Sequence, residues 1–494
     1  MDLSRKITFA FIALAMNLYG QAENPFLFDL SSHNNFSVPE LKNRLIHTNE
    51  HFELYSEYNS SSGSFRRFVD PSASLNAVVG FKGFKVIDDD QSFRGEFKVF
   101  KQIRRNWNWI FVRDYQGFNP NLIGDSTSGT SRYNGIEMSA DYNYRFNSTD
   151  AVNAKLSYLV DEGLKQITPR PVSEHRDIKF ELNGSYGFLK SFTADAGVVV
   201  GDLNESISYR EDEGGVTQET ILLKFSGIDL PAVVRKKTES RYQYLNLYGG
   251  SFGLNWLITD GLKTSFGYSG TLIKSIQKDD ALDPRLAGYF RSLSDKVNFD
   301  INYVFDQTNT FELNIDYNNG LDWSRAPERN VLYSEIKNNK LSADLSHEYV
   351  LSGELILFYG LQYSIYQINY DDYYSGAFLY KKKNTVSGKA GFSYYLSEDL
   401  SFAGNLYYGA DHHIDGYINL PSAATGYFAY RRGDLQYLYA DLNYFGISAE
   451  AKIKISRGNY LYPRAGFSLL SPQNGYFSSG TNQFYINISY LTDI

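Results

Sequence analysis

Arg104 to Arg132, RRNWNWIFVRDYQGFNPNLIGDSTSGTSR, gathers four arginines and two of the chain's four tryptophans around a turn rich in Gly, Asn, Ser and Asp. Guanidinium forks bind anions and aromatic faces stack on flat or apolar groups. If this stretch folds inward across a pore, Arg104, Arg105, Arg113 and Arg132 supply anion-binding charge. Trp107, Trp109, Tyr115 and Phe118 then supply stacking surfaces, and Asn119, Pro120, Gly124 and Asp125 shape the turn between them. The competing reading is an ordered external loop whose rings sit in an interfacial aromatic belt.

Other reactive residue types form weaker patterns. Asp411, His412, His413 and Asp415 resemble a metal cluster, but adjacent histidines on an extended segment point apart. His33, His47 and His51 match no metal template, and neither a metal nor another cofactor is expected. Asp125-Ser126 lacks the Gly-x-Ser-x-Gly context of a nucleophile elbow. Glu211-Asp212-Glu213 and Arg235-Lys236-Lys237 read as solvated charge runs. The chain has no cysteine, which excludes thiol chemistry and a lipid-attachment cysteine. Its net charge of -8 gives nucleic-acid binding no support. No catalytic residues are expected, and the chain is read as a non-enzyme.

The elements that must carry these residues show a two-residue period. Ile136, Met138, Ala140, Tyr142 and Tyr144 occupy one side of a strand, with Glu137, Ser139, Asp141, Asn143 and Arg145 on the other. Val297 to Phe305, Phe311 to Tyr317 and Ala449 to Ile455 repeat the division. The runs reach ten or more residues, the length that crosses a bilayer at a tilt, whereas strands of a soluble sandwich average ~5–6. Short acidic or Gly-containing turns, as in YYLSEDLSFAG (Tyr394 to Gly404), alternate with long polar connections. That alternation is the pattern of outer-membrane barrels, whose short turns face the periplasm. Tyr 41 and Phe 35, many beside turns, suit aromatic girdles. Tyr394, Tyr395, Tyr407, Tyr408, Tyr437, Tyr439 and Tyr444 are read as such rings. A mean hydropathy of -0.37 fits a wall with one wet face.

The fold class expected is therefore all-β, a transmembrane antiparallel outer-membrane β-barrel of 16–18 strands. Seven hairpins (134–160, 177–202, 245–274, 295–317, 339–369, 385–410 and 436–470), a closing strand at 483–491 and three upstream runs give eighteen. Sixteen remain if Phe52 to Val86 lies inside as a constriction. Arg5 and Lys6 before the apolar stretch Ile7 to Leu18, then Gly20-Gln21-Ala22, mark residues 1–22 as a secretory signal peptide. Residues 23–51 are a short periplasmic or lumenal segment, and 52–494 form the barrel.

Three stretches carry a resemblance: YSEYNSSSGSFRRFVDPSASLNAVVGFKGFKVIDDD (Tyr55 to Asp90), NPNLIGDSTSG (Asn119 to Gly129) and ITPRPVSEHRDIKFELNGSYGF (Ile167 to Phe188). Through them the chain resembles an uncharacterised family of outer-membrane β-barrels from Gram-negative bacteria of the Bacteroidota kind. The resemblance implies residence in the outer membrane and no assigned activity.

Inward positions carry Arg94, Glu96, Lys98, Asp141, Arg145, Lys155, Lys179, Glu181, Asp300, Asp316, Asp344, Glu348, Lys452 and Lys454, a lumen of both signs. The function expected is a passive channel or uptake-associated porin for small polar solutes, favouring anions if the four arginines line its mouth. The alternatives are a closed barrel that binds at the surface or serves assembly and, well behind, an outer-membrane enzyme. Expected partners are outer-membrane lipid and lipopolysaccharide, the barrel-assembly machinery during insertion, and a small polar solute.

Overall fold

The computed structural model describes residues 50–493 apart from 68, 108–110, 114–118, 126, 168–169, 190, 211–219, 225–231, 237, 281, 326, 328–330, 374, 398, 420–427 and 474–476. The expected signal peptide, nearly all of the short N-terminal segment, and Trp109, Tyr115 and Phe118 lie outside the described residues. So do the Glu211-Asp212-Glu213 run, His33 and His47.

Eighteen strands form one antiparallel wall. Its first half is β1 (His51–Gly63), β2 (Ala73–Val86), β3 (Gln91–Trp107), β5 (Gly129–Arg145), β6 (Ala151–Lys165), β7 (Val172–Leu189), β8 (Phe192–Arg210), β11 (Thr238–Thr259) and β12 (Leu262–Asp279). The second half is β13 (Arg285–Val304), β14 (Asn309–Arg325), β15 (Leu332–Val350), β16 (Leu355–Asp372), β17 (Ala377–Ser397), β18 (Leu400–Asn419), β19 (Leu442–Ser456), β20 (Asn459–Pro472) and β21 (Thr481–Asp493). Each strand pairs with the next along this wall, and β1 pairs with β21 to close it. Closure leaves no sheet edge facing lipid, where an unpaired peptide group costs several kcal/mol. Three short strands, β4 (Ile123–Asp125), β9 (Thr220–Lys224) and β10 (Ala232–Lys236), make a separate sheet, and among the described residues one helix, α1, spans Phe428–Tyr439.

Strand alternation decides which face is which. On β5, Met138 and Tyr142 are exposed while Asp141 is buried; on β3, Phe93 and Val99 are exposed while Phe100 is buried. Val79, Phe81, Leu156, Phe180, Val198, Leu361 and Ile447 continue an exposed apolar belt around the closed wall. In water such a belt would be an aggregation surface; around a closed barrel it is a lipid-facing band. Aromatics crowd its short-turn edge, where Phe146, Tyr186, Phe188 and Phe305 stand exposed and Phe192 stacks on Trp256 with ring centroids 5.0 Å apart. Among the described residues no helix is long and apolar enough to cross a membrane.

The structure corrects three sequence expectations. Phe52 to Gly63 and Ala73 to Val86 lie in the wall within β1 and β2, which pair over twelve residues, so the sixteen-strand option falls. Residues 436–470 are not a plain hairpin, because Phe428–Tyr439 is helical and β19 starts at Leu442. Leu435 and Leu438, three apart, share one helical face and are buried together, whereas the alternate Tyr437 and Tyr439 read by themselves as a strand. Tyr407, Tyr437 and Tyr444 are buried inside rather than in a girdle, whereas Tyr408, of opposite parity, faces out. Several strands also run further into the long connections than their apolar alternation suggests. Asp411 to Asn419, for example, belongs to β18. Above the lipid both faces of a strand are wet, and the apolar marker of the pattern ends before the pairing does.

Candidate functional site at the long-loop mouth

The β3–β5 connection turns inward because of its first residues. Arg104 and Trp107 flank a register shift against β5, and Asn106 holds φ at 48°, in the left-handed region that Asn tolerates better than most residues. A bulge of this kind re-aims the strand, and Trp107 ends on the inner side, where its indole N–H donates to the Val69 carbonyl at 2.7 Å. Behind it Trp107, Phe111, Val112, Leu122, Ile123, Tyr133, Ile207, Tyr209, Leu222 and Leu223 close into an apolar cluster. The mouth thus contains a small hydrophobic core. Tyr133 packs over Gly163 so closely that any Cβ there would overlap its ring. β4 adds to β9, and β9 to β10, so the β8–β11 connection joins the same body.

Ion pairs tie this body to the wall. Arg113 Nε meets Asp161 at 3.1 Å, and its backbone N–H donates to Glu205 at 2.6 Å. His175 bridges Asp161 and Asp177 at 3.3 and 2.9 Å. Lys165 holds Asp125 at 2.8 Å, with side-chain exposures of 1% and 2%. Lys224 reaches Glu239 and Asp279 at 3.2 and 2.7 Å, and Asp279 also accepts from Arg241.

Asn121 spans furthest. Its carbonyl accepts from Arg241 at 3.0 Å, its side-chain amide donates to Ser324 at 3.1 Å, and the Tyr333 hydroxyl donates to its side-chain oxygen. From β3 the wall runs β5, β6, β7, β8, β11, β12, β13, β14, so a segment leaving β3 bonds nearly diametrically across the barrel at Ser324. The connection crosses the mouth.

A second inward body lies beside it. Leu435 and Leu438 of α1 pack with Ile336, Ile368, Tyr370, Ala377 and Leu379, while Tyr437 stacks on Phe65 at 4.5 Å. Burial pushes the Tyr437 phenol above its usual range. Lys381 donates to the Tyr439 and Ala440 carbonyls at 2.8 and 2.6 Å and pairs with Asp441 at 2.7 Å, satisfying the helix's C-terminal end with a cation. Asp411 accepts from Thr385 at 2.7 Å and from the Leu442 N–H at 3.2 Å, and pairs with Lys383.

The structure divides the residues singled out from sequence. Asn119, Pro120, Gly124 and Asp125 are buried in the crossing segment, with Trp107. Arg104 and Arg113 face inward, Arg104 over the rings of Trp107 and Tyr133 at 4.6 and 5.0 Å, and Arg113 over Tyr133 at 5.7 Å. Arg105 and Arg132 do not join them: both stand exposed on the outer face, because their strand parity is that of Val99 and Met138. A four-arginine ring is therefore not what narrows the mouth.

The inner-face positions hold Arg94, Glu96, Lys98, Asp141, Arg145, Lys179, Glu181, Asp300, Asp316, Lys452 and Lys454. Many of them are paired. Lys98 meets Glu137 at 2.9 Å, Lys155 meets Glu181 at 3.8 Å, Lys296 meets Asp316 at 3.3 Å, Lys389 meets Asp344 at 3.1 Å and Lys454 meets Asp399 at 2.6 Å. Tyr55 donates to Glu96 at 2.6 Å, and Lys452 lies over Tyr460 at 4.4 Å. His412 and His413 are exposed on β18 while Asp411 is buried, and no group of three metal-ligating side chains exists among the described residues.

Sequence reading missed Lys165, Asp161, His175, Glu205 and Arg241 as anchors, and α1 altogether. Within Ser173 to Asp177 the inward parity carries Ser173, His175 and Asp177, and that polar alternation was the available signal.

Solved structures with a similar backbone course include the ferric yersiniabactin uptake receptor FyuA from Yersinia pestis, 11% identical over 90% of this chain and 80% of that chain, with a TM-score of 0.48. The siderophore receptor PiuA from Acinetobacter baumannii is 8% identical over 88% and 82%, with a TM-score of 0.42. The TodX monoaromatic hydrocarbon channel is 10% identical over 90% of each, with a TM-score of 0.34. No curated protein matches the chain. The family of unknown function DUF6850 matches residues 46–490, which is almost the entire wall, and the chain belongs to that family.

Proposed function

We propose that the protein is a non-catalytic channel of the Gram-negative outer membrane, passing small polar solutes through a lumen whose outer mouth is narrowed by its own β3–β5 connection. Short turns face the periplasm and long connections the exterior in this reading, with lipopolysaccharide around the upper rim and the barrel-assembly machinery acting during insertion. The observation that carries it is the Asn121 crossing: a buried, multiply bonded segment spans a wall whose inner face is polar and charged with both signs. Such a wall of eighteen strands encloses a wet lumen, and a loop folded into it sets what passes.

Single-channel recording in a planar bilayer tests the proposal. The full chain should give small, steady conductance steps, and deletion of Asn119 to Gly129 should enlarge them. Silence from both proteins would overturn the channel and leave a closed surface-binding barrel.

A further inference from the structure

Three cations stand on the outer face of β3 and β5, just beyond the apolar band. Along β3 the outward positions read Phe97, Val99, Lys101, Ile103, Arg105; along β5 they read Met138, Ile136, Asn134, Arg132. Ile103 is in register with Arg132, which places Arg132 level with the midpoint between Lys101 and Arg105. At ~3.4 Å per residue and ~4.8 Å between strands, Lys101 and Arg105 are about 13 Å apart and Arg132 is about 8 Å from each. Long, flexible side chains at those spacings converge on a single group.

Height is fixed by counting. A crossing takes ~9–11 residues, and Gln91 sits beside the short turn, so Lys101 marks the upper edge of the hydrocarbon and Arg105 and Arg132 lie above it. All three side chains are exposed, and none makes an ion pair among the described residues. The outward Arg176, by contrast, lies 3.6 Å from Asp202. Glu162, on the next strand, stands diagonal to Arg132 without pairing to it, and faces Glu174 instead. Like charges gathered at a lipid headgroup level repel one another unless an anion sits between them. Arginine adds a bidentate fit to phosphate.

We propose that Lys101, Arg105 and Arg132 seat a phosphate of the outer-leaflet lipopolysaccharide, with its acyl chains lying down the Val99, Phe97 and Met138 face. The proposal rests on the outer-membrane reading with long connections outside. The full chain, purified in detergent, is exposed to diphosphoryl lipid A, to its dephosphorylated form and to phosphatidylglycerol, and bound lipid is counted by native mass spectrometry.

Diphosphoryl lipid A should be retained, and the combined Lys101→Gln, Arg105→Gln, Arg132→Gln variant should bind it about tenfold more weakly or worse. Lys85→Gln, which removes an exposed outward cation at the short-turn end of β2, should change nothing. Equal binding by the triple variant, equal loss in Lys85→Gln, or preference for phosphatidylglycerol or the dephosphorylated lipid overturns the seat. Heat-shifted mobility on SDS gels verifies that each variant is a closed barrel. Surface labelling of Asp283→Cys on whole cells tests the orientation separately, so unchanged lipid binding in a correctly labelled protein counts against the seat alone.

Discussion

Lys165 and Asp125 illustrate how the crossing segment is held, because at 1% and 2% side-chain exposure their pairing is decided by desolvation. Removing one partner of a buried pair strands the other and costs ~3–5 kcal/mol, whereas replacing both with apolar groups is often nearly neutral. Lys165→Met should therefore strip hydrogen-exchange protection from the amides of 122–125, and Lys165→Met with Asp125→Leu should restore most of it. Protection unchanged in the single variant would show that the pair is not an anchor. Gly288 tests the far end: a Cβ there would overlap the Asn121 amide, so Gly288→Ala should loosen the crossing and raise conductance while the wall stays folded. Asp306 tests a short turn by pH. Its carboxyl accepts from the Thr308 hydroxyl at 2.7 Å, the Asn309 side chain at 3.0 Å and the Thr308 N–H at 2.7 Å, which lowers it from 3.8 to about 2. A depressed acid stabilises above its unfolded pKa. The contribution is thus full above pH 3.8 and lost as pH falls through about 2, and NMR titration of the Asp306 carboxyl should show that midpoint. A midpoint at 3.8 or higher would refute the turn network.

At the scale of elements, the alternating loop lengths translate into a labelling experiment. Asp283→Cys, in the exposed β12–β13 connection, should react with an impermeant maleimide on intact cells, and Gly353→Cys, in the β15–β16 short turn, should not; reversed labelling would invert the topology. The wall strands were legible because two forces write the same period: lipid selects one parity and water the other, as on β5. The inward bodies were less legible because neither force acts on them alone. Val69, Ile207, Tyr209, Leu222 and Leu223 meet Trp107 from three separate connections or strand ends, and no local window contains that meeting. Arg105 and Arg132 were misplaced for a related reason. They sit within an Arg-rich stretch, and strand pairing through Ile103–Arg132 fixes their outward parity, while only the segment beyond the bulge at Trp107 turns inward.

For the whole molecule, closure makes the barrel a single unfolding unit: it should be almost wholly β by circular dichroism, run compactly in SDS unheated, and shift after boiling. Its selectivity follows from how charge is shared out around the mouth. Arg113, Lys165, Lys224 and Arg241 face Asp125, Asp161, Glu205, Glu239 and Asp279 at close range, so the focused field of either sign largely cancels. Arg105 and Arg132 lie outside the wall, and at physiological salt a Debye length of ~8 Å screens them from the lumen. The strong anion preference that four inward arginines would impose is thus not the expected outcome. Reversal potentials across a potassium chloride gradient should be small in the parent channel and unchanged by Arg105→Gln with Arg132→Gln. Arg104→Gln with Arg113→Gln should move them toward cation selectivity, because the mouth loses two inward positive charges and Asp161 loses its Arg113 partner. If the outer pair shifts the potential instead and the inner pair does not, ions reach the wall's outer rim on their way in, and the crossing segment does not define the conducting path.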